Sequence, residues 1–105
     1  MLINQDESIS VMVNEEDHIR EQCFMPGLML KEAYDRINKV DDDIAKSLDI
    51  AFDPTYGYLT ACPSNLGTGM RASVMMFLPA LTESGKIHSL VREAQKLGLT
   101  VRGLY

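Results

Sequence analysis

The period of the hydrophobic residues changes along this chain, and that change limits the fold more than any other feature of its 105 residues. Ile9, Val11 and Val13 alternate with smaller or flexible side chains across Ser8 to Asn14, the period-2 signature of a strand. A charged segment follows. After Pro26-Gly27 the apolar positions Leu30, Ala33, Tyr34, Ile37, Val40 and Ile44 recur at helical spacing, while Lys31, Glu32, Asp35, Arg36 and Lys39 fill the other face. That stretch is predicted to be an amphipathic helix.

Asp49 to Phe52 and Gly57 to Ala61 flank Asp53-Pro54-Thr55-Tyr56, where Asp and Pro favour a turn, so the pair reads as a β-hairpin. Ser64 to Gly69 is a small-residue loop after Cys62-Pro63. Arg71 to Leu78, with Val74, Met76 and Leu78 alternating, reads as a strand that Pro79 stops. Ile87, Leu90, Val91, Ala94 and Leu97 mark a second helix, Gly98 is placed to cap it, and Leu99 to Tyr105 reads as a last strand. The order β, α, β, β, β, α, β predicts an α+β fold, helices packed on one face of a largely antiparallel sheet. The seven methionines, Tyr34, Tyr56 and Phe52 are assigned to packing.

Size and charge remove several classes of function. The length fits one soluble globular domain or a piece of one. No apolar run approaches the ~18 to 20 residues of a membrane helix, and Met1 to Asp6 lacks the order of a signal peptide, so a cytoplasmic protein is expected. Cys23 and Cys62 form no CxxC pair and fit a reducing compartment. The net charge of −5 disfavours a sequence-independent nucleic-acid binder. Thirteen acids and five bases lie in residues 1–54, and two acids and five bases in residues 55–105, so an anion would prefer the second half.

Two segments hold the candidate chemistry. In Asn14 to Arg20 three successive acids stand beside an imidazole and a guanidinium; as a strand it would set Glu16, His18 and Arg20 on one face and Glu15 and Asp17 on the other. Spacing alone also fits a plain solvated strand end, and a metal site would lack a second His or Cys at ligand spacing. In Cys62 to Arg71, Gly67 and Gly69 permit backbone N–H groups to approach an anion, and Arg71 adds a planar cation suited to phosphate. The loop matches neither the Walker nor the Rossmann glycine pattern, and a simple connection between strands fits it too. Cys62 reads either as a small buried hydrophobe or as a thiol activated by a nearby positive charge or hydroxyl.

Taken together, Asn14 to Arg20, Gly57 to Val74 and Val101-Arg102-Gly103 resemble the ATP:guanido phosphotransferases, the family of arginine and creatine kinases. The resemblance runs essentially end to end, with three motifs in order. Met75-Met76, where the metabolic members usually carry a histidine, and the run Arg102-Gly103-Leu104-Tyr105 are similar to the bacterial protein-arginine kinases. The resemblance implies a catalytic domain of the glutamine-synthetase-like kind, with ATP and Mg²⁺ as cofactors and a guanidinium as acceptor. It implies that Glu16 grips the guanidinium and accepts its proton, with Cys62 lying against the substrate. It also implies that Glu15 and Asp17 support that site or the water around magnesium, that Asn65 lies on the substrate side, and that Arg20, Arg71, Arg102 and His18 surround the phosphates.

Physical chemistry gives those roles a reason. Phosphoryl transfer requires in-line placement and neutralisation of charge on the phosphoryl oxygens, which a fan of arginines with Mg²⁺ provides. The acceptor has a pKa above ~12, so a carboxylate must orient it and take a proton as the new bond forms.

The family domain is longer than this chain. An upstream pair of phosphate-binding arginines and a downstream loop with a second catalytic carboxylate are absent, which predicts a partial catalytic domain over 1–105, inactive or nearly so in isolation. The rival readings are a non-catalytic domain that binds nucleotide or arginine and regulates a partner, and an assembly unit that forms homo-oligomers through exposed sheet edges.

Overall fold

The computed structural model describes residues 1–103, in two units, Met1–Val74 and the stretch from Met75 onward. In the first unit β1 (Leu2–Ile3), β2 (Ile9–Val13) and β3 (Ile19–Cys23) form an antiparallel meander in that order. Leu2 pairs with Val11, and the β2–β3 ladder runs from Ile9↔Cys23 to Val13↔Ile19. The β1–β2 turn is built by side chains. Asn4 accepts the Ile9 amide at 2.8 Å, and Asp6 accepts the Ser8 amide at 3.1 Å. The Ser8 hydroxyl and amide hold the Asp6 carboxyl down to a pKa of about 2.

The second turn corrects a sequence expectation. Asn14 to His18 is a loop and not the continuation of a strand, so Glu16, His18 and Arg20 do not share one strand face. Asn14 takes a left-handed conformation (φ 54°), which Asn tolerates better than most residues, and its amide donates to the His18 carbonyl at 2.9 Å. The chain therefore reverses around Glu15-Glu16-Asp17, and only Arg20 lies on β3.

Helix α1 (Leu30–Ser47) packs against β3. Ala33, Ile37, Val40 and Ile44 are half-buried, as their spacing predicts, whereas Leu30 and Tyr34 stay exposed. Arg36 ties the helix to the first turn, donating to the Ser8 hydroxyl at 2.9 Å and pairing with Asp6 at 3.2 Å.

The predicted hairpin forms as β4 (Phe52–Asp53) and β5 (Gly57–Tyr58), shorter than the pattern implied. Asp53 accepts the amides of Thr55 at 2.7 Å and Tyr56 at 3.0 Å, the local bonding that lets Asp open a turn. Tyr58 then bridges to Gly67 through paired backbone bonds of 2.8 and 3.3 Å, which folds the next loop back onto β5. This approach requires Gly57, where a Cβ would strike the Gly67 carbonyl.

In the second unit Pro79 starts a helix instead of only stopping a strand. It is the first residue of α2 (Pro79–Glu83), where its missing N–H costs nothing. Helix α3 (Ile87–Lys96) ends in a Schellman arrangement: Gly98 (φ 80°) donates to Gln95 at 3.0 Å and Leu99 to Ala94 at 3.1 Å, so the predicted cap forms.

Two predicted strands are not found. Residues 71–78 have no regular structure, because no strand among the described residues pairs with them. Residues 99–103 are likewise irregular, and the remainder of that predicted strand, Leu104-Tyr105, lies outside the described residues. Among the described residues no side chain is fully buried. Met75, Phe77 and Tyr56 stand exposed (Phe77 at 91%), so the packing role expected for Met75 and Tyr56 is not met within these residues, whereas Phe52, also exposed, sets its ring edge-to-face on Tyr58 at 5.1 Å. The class is nevertheless the α+β one anticipated, antiparallel sheets with helices. No helix among the described residues is long and apolar enough to cross a membrane.

Candidate functional site

The reversal at Asn14 sets the Asp17 carboxylate against the loop that follows β5. Asp17 Oδ1 accepts the backbone amides of Ala61 at 2.9 Å and Cys62 at 3.3 Å, and Oδ2 accepts from Asn65 Nδ2 at 2.7 Å. Hydrogen bonds to a carboxylate favour its ionised form. The Asn65 amide first, then the Cys62 and Ala61 amides and the His18 charge, pull the Asp17 carboxyl below its ordinary range, against an opposing effect of burial. Asn65 also reaches Glu16 Oε2 at 3.4 Å. The two segments singled out in the sequence therefore meet.

Local chemistry shapes the second loop. Pro63 opens a single 3₁₀ turn, Pro63–Asn65, and Cys62 before it stays extended (φ −96°, ψ 117°), as a residue preceding proline prefers. The Cys62 carbonyl accepts the Asn65 amide at 3.0 Å and the Thr60 hydroxyl at 2.7 Å. The half-buried Cys62 thiol lies 3.0 Å from the Ser64 hydroxyl, the kind of neighbour that the reactive reading of this cysteine asked for. Ser64 and Thr60 were not singled out in the sequence; their signal is a hydroxyl two residues to either side of a cysteine that precedes proline.

The remaining candidates are less closely joined. Arg20, opposite Met12 in the ladder, pairs with Glu15 at 3.6 Å. Both side chains are about half exposed, so the pair contributes about 1 kcal/mol at most. His18 is exposed and closes the β2–β3 loop through its carbonyl. Arg71 is exposed and makes no ion pair among the described residues; Gly67 (φ 125°) and Gly69 (φ 64°) precede it at positive φ. Arg102 is exposed in the irregular end of the second unit. Within the first unit the geometry thus joins Glu16, Asp17, Cys62 and Asn65, pairs Glu15 with Arg20, and leaves the Arg71 side chain outside these contacts. A carboxylate, a thiol and a carboxamide on adjoining loops offer several acceptors to a planar cation with multiple donors.

The sequence profile for the ATP:guanido phosphotransferase C-terminal catalytic domain matches residues 1–105. The chain is 56% identical over 105 residues to a protein of Syntrophomonas wolfei subsp. wolfei named protein-arginine kinase, covering all of this chain and 29% of that protein. It is 56% identical to the protein of the same name from Pelotomaculum thermopropionicum, covering 100% of this chain and 30% of that protein. For the Staphylococcus epidermidis protein of that name the identity is 50%, with 100% and 31% covered. The chain therefore spans less than a third of the length of these relatives.

Proposed function

The chain belongs to the ATP:guanido phosphotransferase family, and from that premise we propose that it carries part of a catalytic centre that moves the γ-phosphoryl group of ATP to the guanidinium of a protein arginine. The observation that supports this most is the junction at Asn65, 2.7 Å from Asp17 and 3.4 Å from Glu16, across separations of 48 and 49 residues. It brings the carboxylate motif and the cysteine motif to one place.

In this reading Glu16 binds the guanidinium through its exposed carboxylate and orients one nitrogen toward the phosphoryl group. As the N–P bond forms and the bond to the ADP oxygen breaks, that nitrogen loses a proton, which Glu16 accepts. Cys62, with Ser64 at 3.0 Å, offers a second contact to the same cation. Glu15 and Asn65 line the substrate side.

The donor set fits a nucleotide. Arg20 is partly exposed and held only loosely by Glu15, and Arg71 is exposed two residues after Gly69, itself exposed at positive φ, while the Gly67 amide is already bonded to the Tyr58 carbonyl. His18, and Arg102 in the second unit, are assigned to the phosphates by the family resemblance alone. Glu15 is an exposed carboxylate of the type that holds Mg²⁺ through its waters, and the ion would supply neutralising charge on the phosphates. The 105 residues alone are proposed to turn over little, since they leave no side chain fully buried among those described. Cys23 and Cys62, both free, are consistent with the reducing interior of a cell.

The test is a chimera in which this chain replaces the matching stretch of the Syntrophomonas wolfei relative. Transfer of labelled γ-phosphate from Mg-ATP to protein arginine, read as acid-labile label, is expected for the chimera and not for the chain alone. A folded chimera that binds Mg-ATP without transfer would point to the nucleotide-binding regulator instead.

A further inference from the structure

The Asp17 carboxylate is engaged by the protein at most of its acceptor positions. An ionised carboxylate offers about four lone-pair positions. Three are taken: Oδ1 by the Ala61 and Cys62 amides, at 2.9 and 3.3 Å, and Oδ2 by Asn65 at 2.7 Å. Asp17 is half-buried while Glu15 and Glu16 on the same loop are exposed. All three donors come from the loop that carries Cys62, 44 to 48 residues away. That loop has further internal bonds, Asn65 to the Cys62 carbonyl and Thr60 to the same carbonyl, but these fix its shape and not its place relative to Glu16.

We propose that Asp17 is a positioning residue, a clamp on the amides of Ala61 and Cys62 and on Asn65 that sets the Cys62 thiol and the Glu16 carboxylate at a fixed separation, and that it does not itself touch substrate. This deepens the reading above and rests on it for its consequence in turnover. The clamp acts through geometry: a carboxylate at 17 holds two successive amides of the loop that carries Cys62.

The clamp is tested on the 105-residue chain without any assay of turnover. Alkylation by iodoacetamide is followed peptide by peptide, so that the Cys23 rate reports general unfolding while the Cys62 rate reports the loop. Asp17→Ala is expected to speed alkylation of Cys62 about tenfold, the effect of releasing a charge-assisted pair of bonds, with the Cys23 rate unchanged.

Asp17→Asn keeps an oxygen for the two amides but removes the charge and turns an NH2 toward the Asn65 donor, and is expected to stay within about threefold of the parent chain. If Asp17→Asn matches Asp17→Ala, the carboxylate acts only through its charge on the thiol and the clamp is refuted; an unchanged Cys62 rate in Asp17→Ala refutes it as well. Should Asp17→Ala also raise the Cys23 rate, Asn65→Ser removes the Oδ2 partner together with its longer contact to Glu16, and a rise of about threefold at Cys62 is expected. No rise there overturns the proposal.

In the chimera, Asp17→Ala should lower kcat with little change in the KM for ATP, and Asp17→Asn should restore most of it. A chimera without transfer would remove the phosphoryl-transfer reading while the alkylation result still decides the clamp.

Discussion

The Thr60–Gly67 loop, which joins the Asn14–His18 loop, and the stretch 70–78 lie close in sequence yet differ in what holds them. The first is mostly polar and is fixed by many short hydrogen bonds, several of them from side chains to backbone. The second is mostly apolar, alternates as a strand should, and has no regular structure, with Met75 85% and Phe77 91% exposed. A carboxylate or hydroxyl can satisfy nearby amides with the side chain it already has. An alternating strand cannot: its N–H and C=O groups need a second strand, and its apolar face needs a surface to cover it. Order in the first region is supplied by the residues present, and in the second it awaits a neighbour.

If the bonded junction carries the chemistry, the largest effect should come from its exposed carboxylate. Glu16→Gln in the chimera is expected to cost about 10²-fold or more in kcat with ATP affinity retained, as for loss of a positioned proton acceptor. Turnover left intact would move the chemistry elsewhere. The contrast between the regions can be broken directly by amide exchange on the 105-residue chain. The Ala61 and Cys62 amides should exchange about thirtyfold more slowly than those of residues 72–77, and equal rates would show that the junction is no more ordered than the open stretch.

Arg71 sits at the border between the two regions. Arg71→Ala should weaken binding of Mg-ATP to the chimera about tenfold by titration calorimetry while leaving the arginine side of the site alone. An unchanged affinity would remove Arg71 from the phosphate set and confine the site to the junction.

How much of this was legible in the sequence follows the same division. The period of Ile9, Val11 and Val13, the spacing of Ala33, Ile37, Val40 and Ile44, the turn at Asp53 and the cap at Gly98 all depend on residues close in sequence, and each formed as read. The pattern over 71–78 was equally clear, but it reports a preference that only a partner can realise. At the site, residue types singled out the two segments Asn14 to Arg20 and Cys62 to Arg71, and the resemblance chose Glu16 and Cys62 within them. The bonds from Asp17 to Ala61 and Cys62 were not legible, because nothing in an Asp distinguishes a carboxylate that will meet backbone amides 44 residues on from one that faces solvent.

The smallest effect comes from moving the comparison inside the first unit, to two carboxylates four residues apart. Asp17 has three donors, whereas Glu21 on β3 has a buried Oε2 with no hydrogen-bond partner among the described residues. Burial first, and then the charge of Asp41 on α1, push the Glu21 carboxyl up to about 7 from an ordinary 4.5. Its folded-state pKa lies above the unfolded one, so Glu21 favours the folded chain when protonated. That contribution is fully present below about pH 4.5, is lost as pH rises toward 7, and is gone above it. Because Glu21 is only partly buried, the loss is discounted to about 1 kcal/mol, roughly fivefold in the folding constant. Glu21→Gln removes the charge and keeps the size, and Glu21→Leu also removes the unpaired oxygen. Urea titrations at pH 5 and pH 8 should show the parent chain losing stability between them relative to Glu21→Gln, with Glu21→Leu the most stable at pH 8. A parent chain whose pH dependence matches that of Glu21→Gln would mean that Glu21 is solvated in the folded chain and that both carboxylates, like the loops around Asp17, find what they need locally.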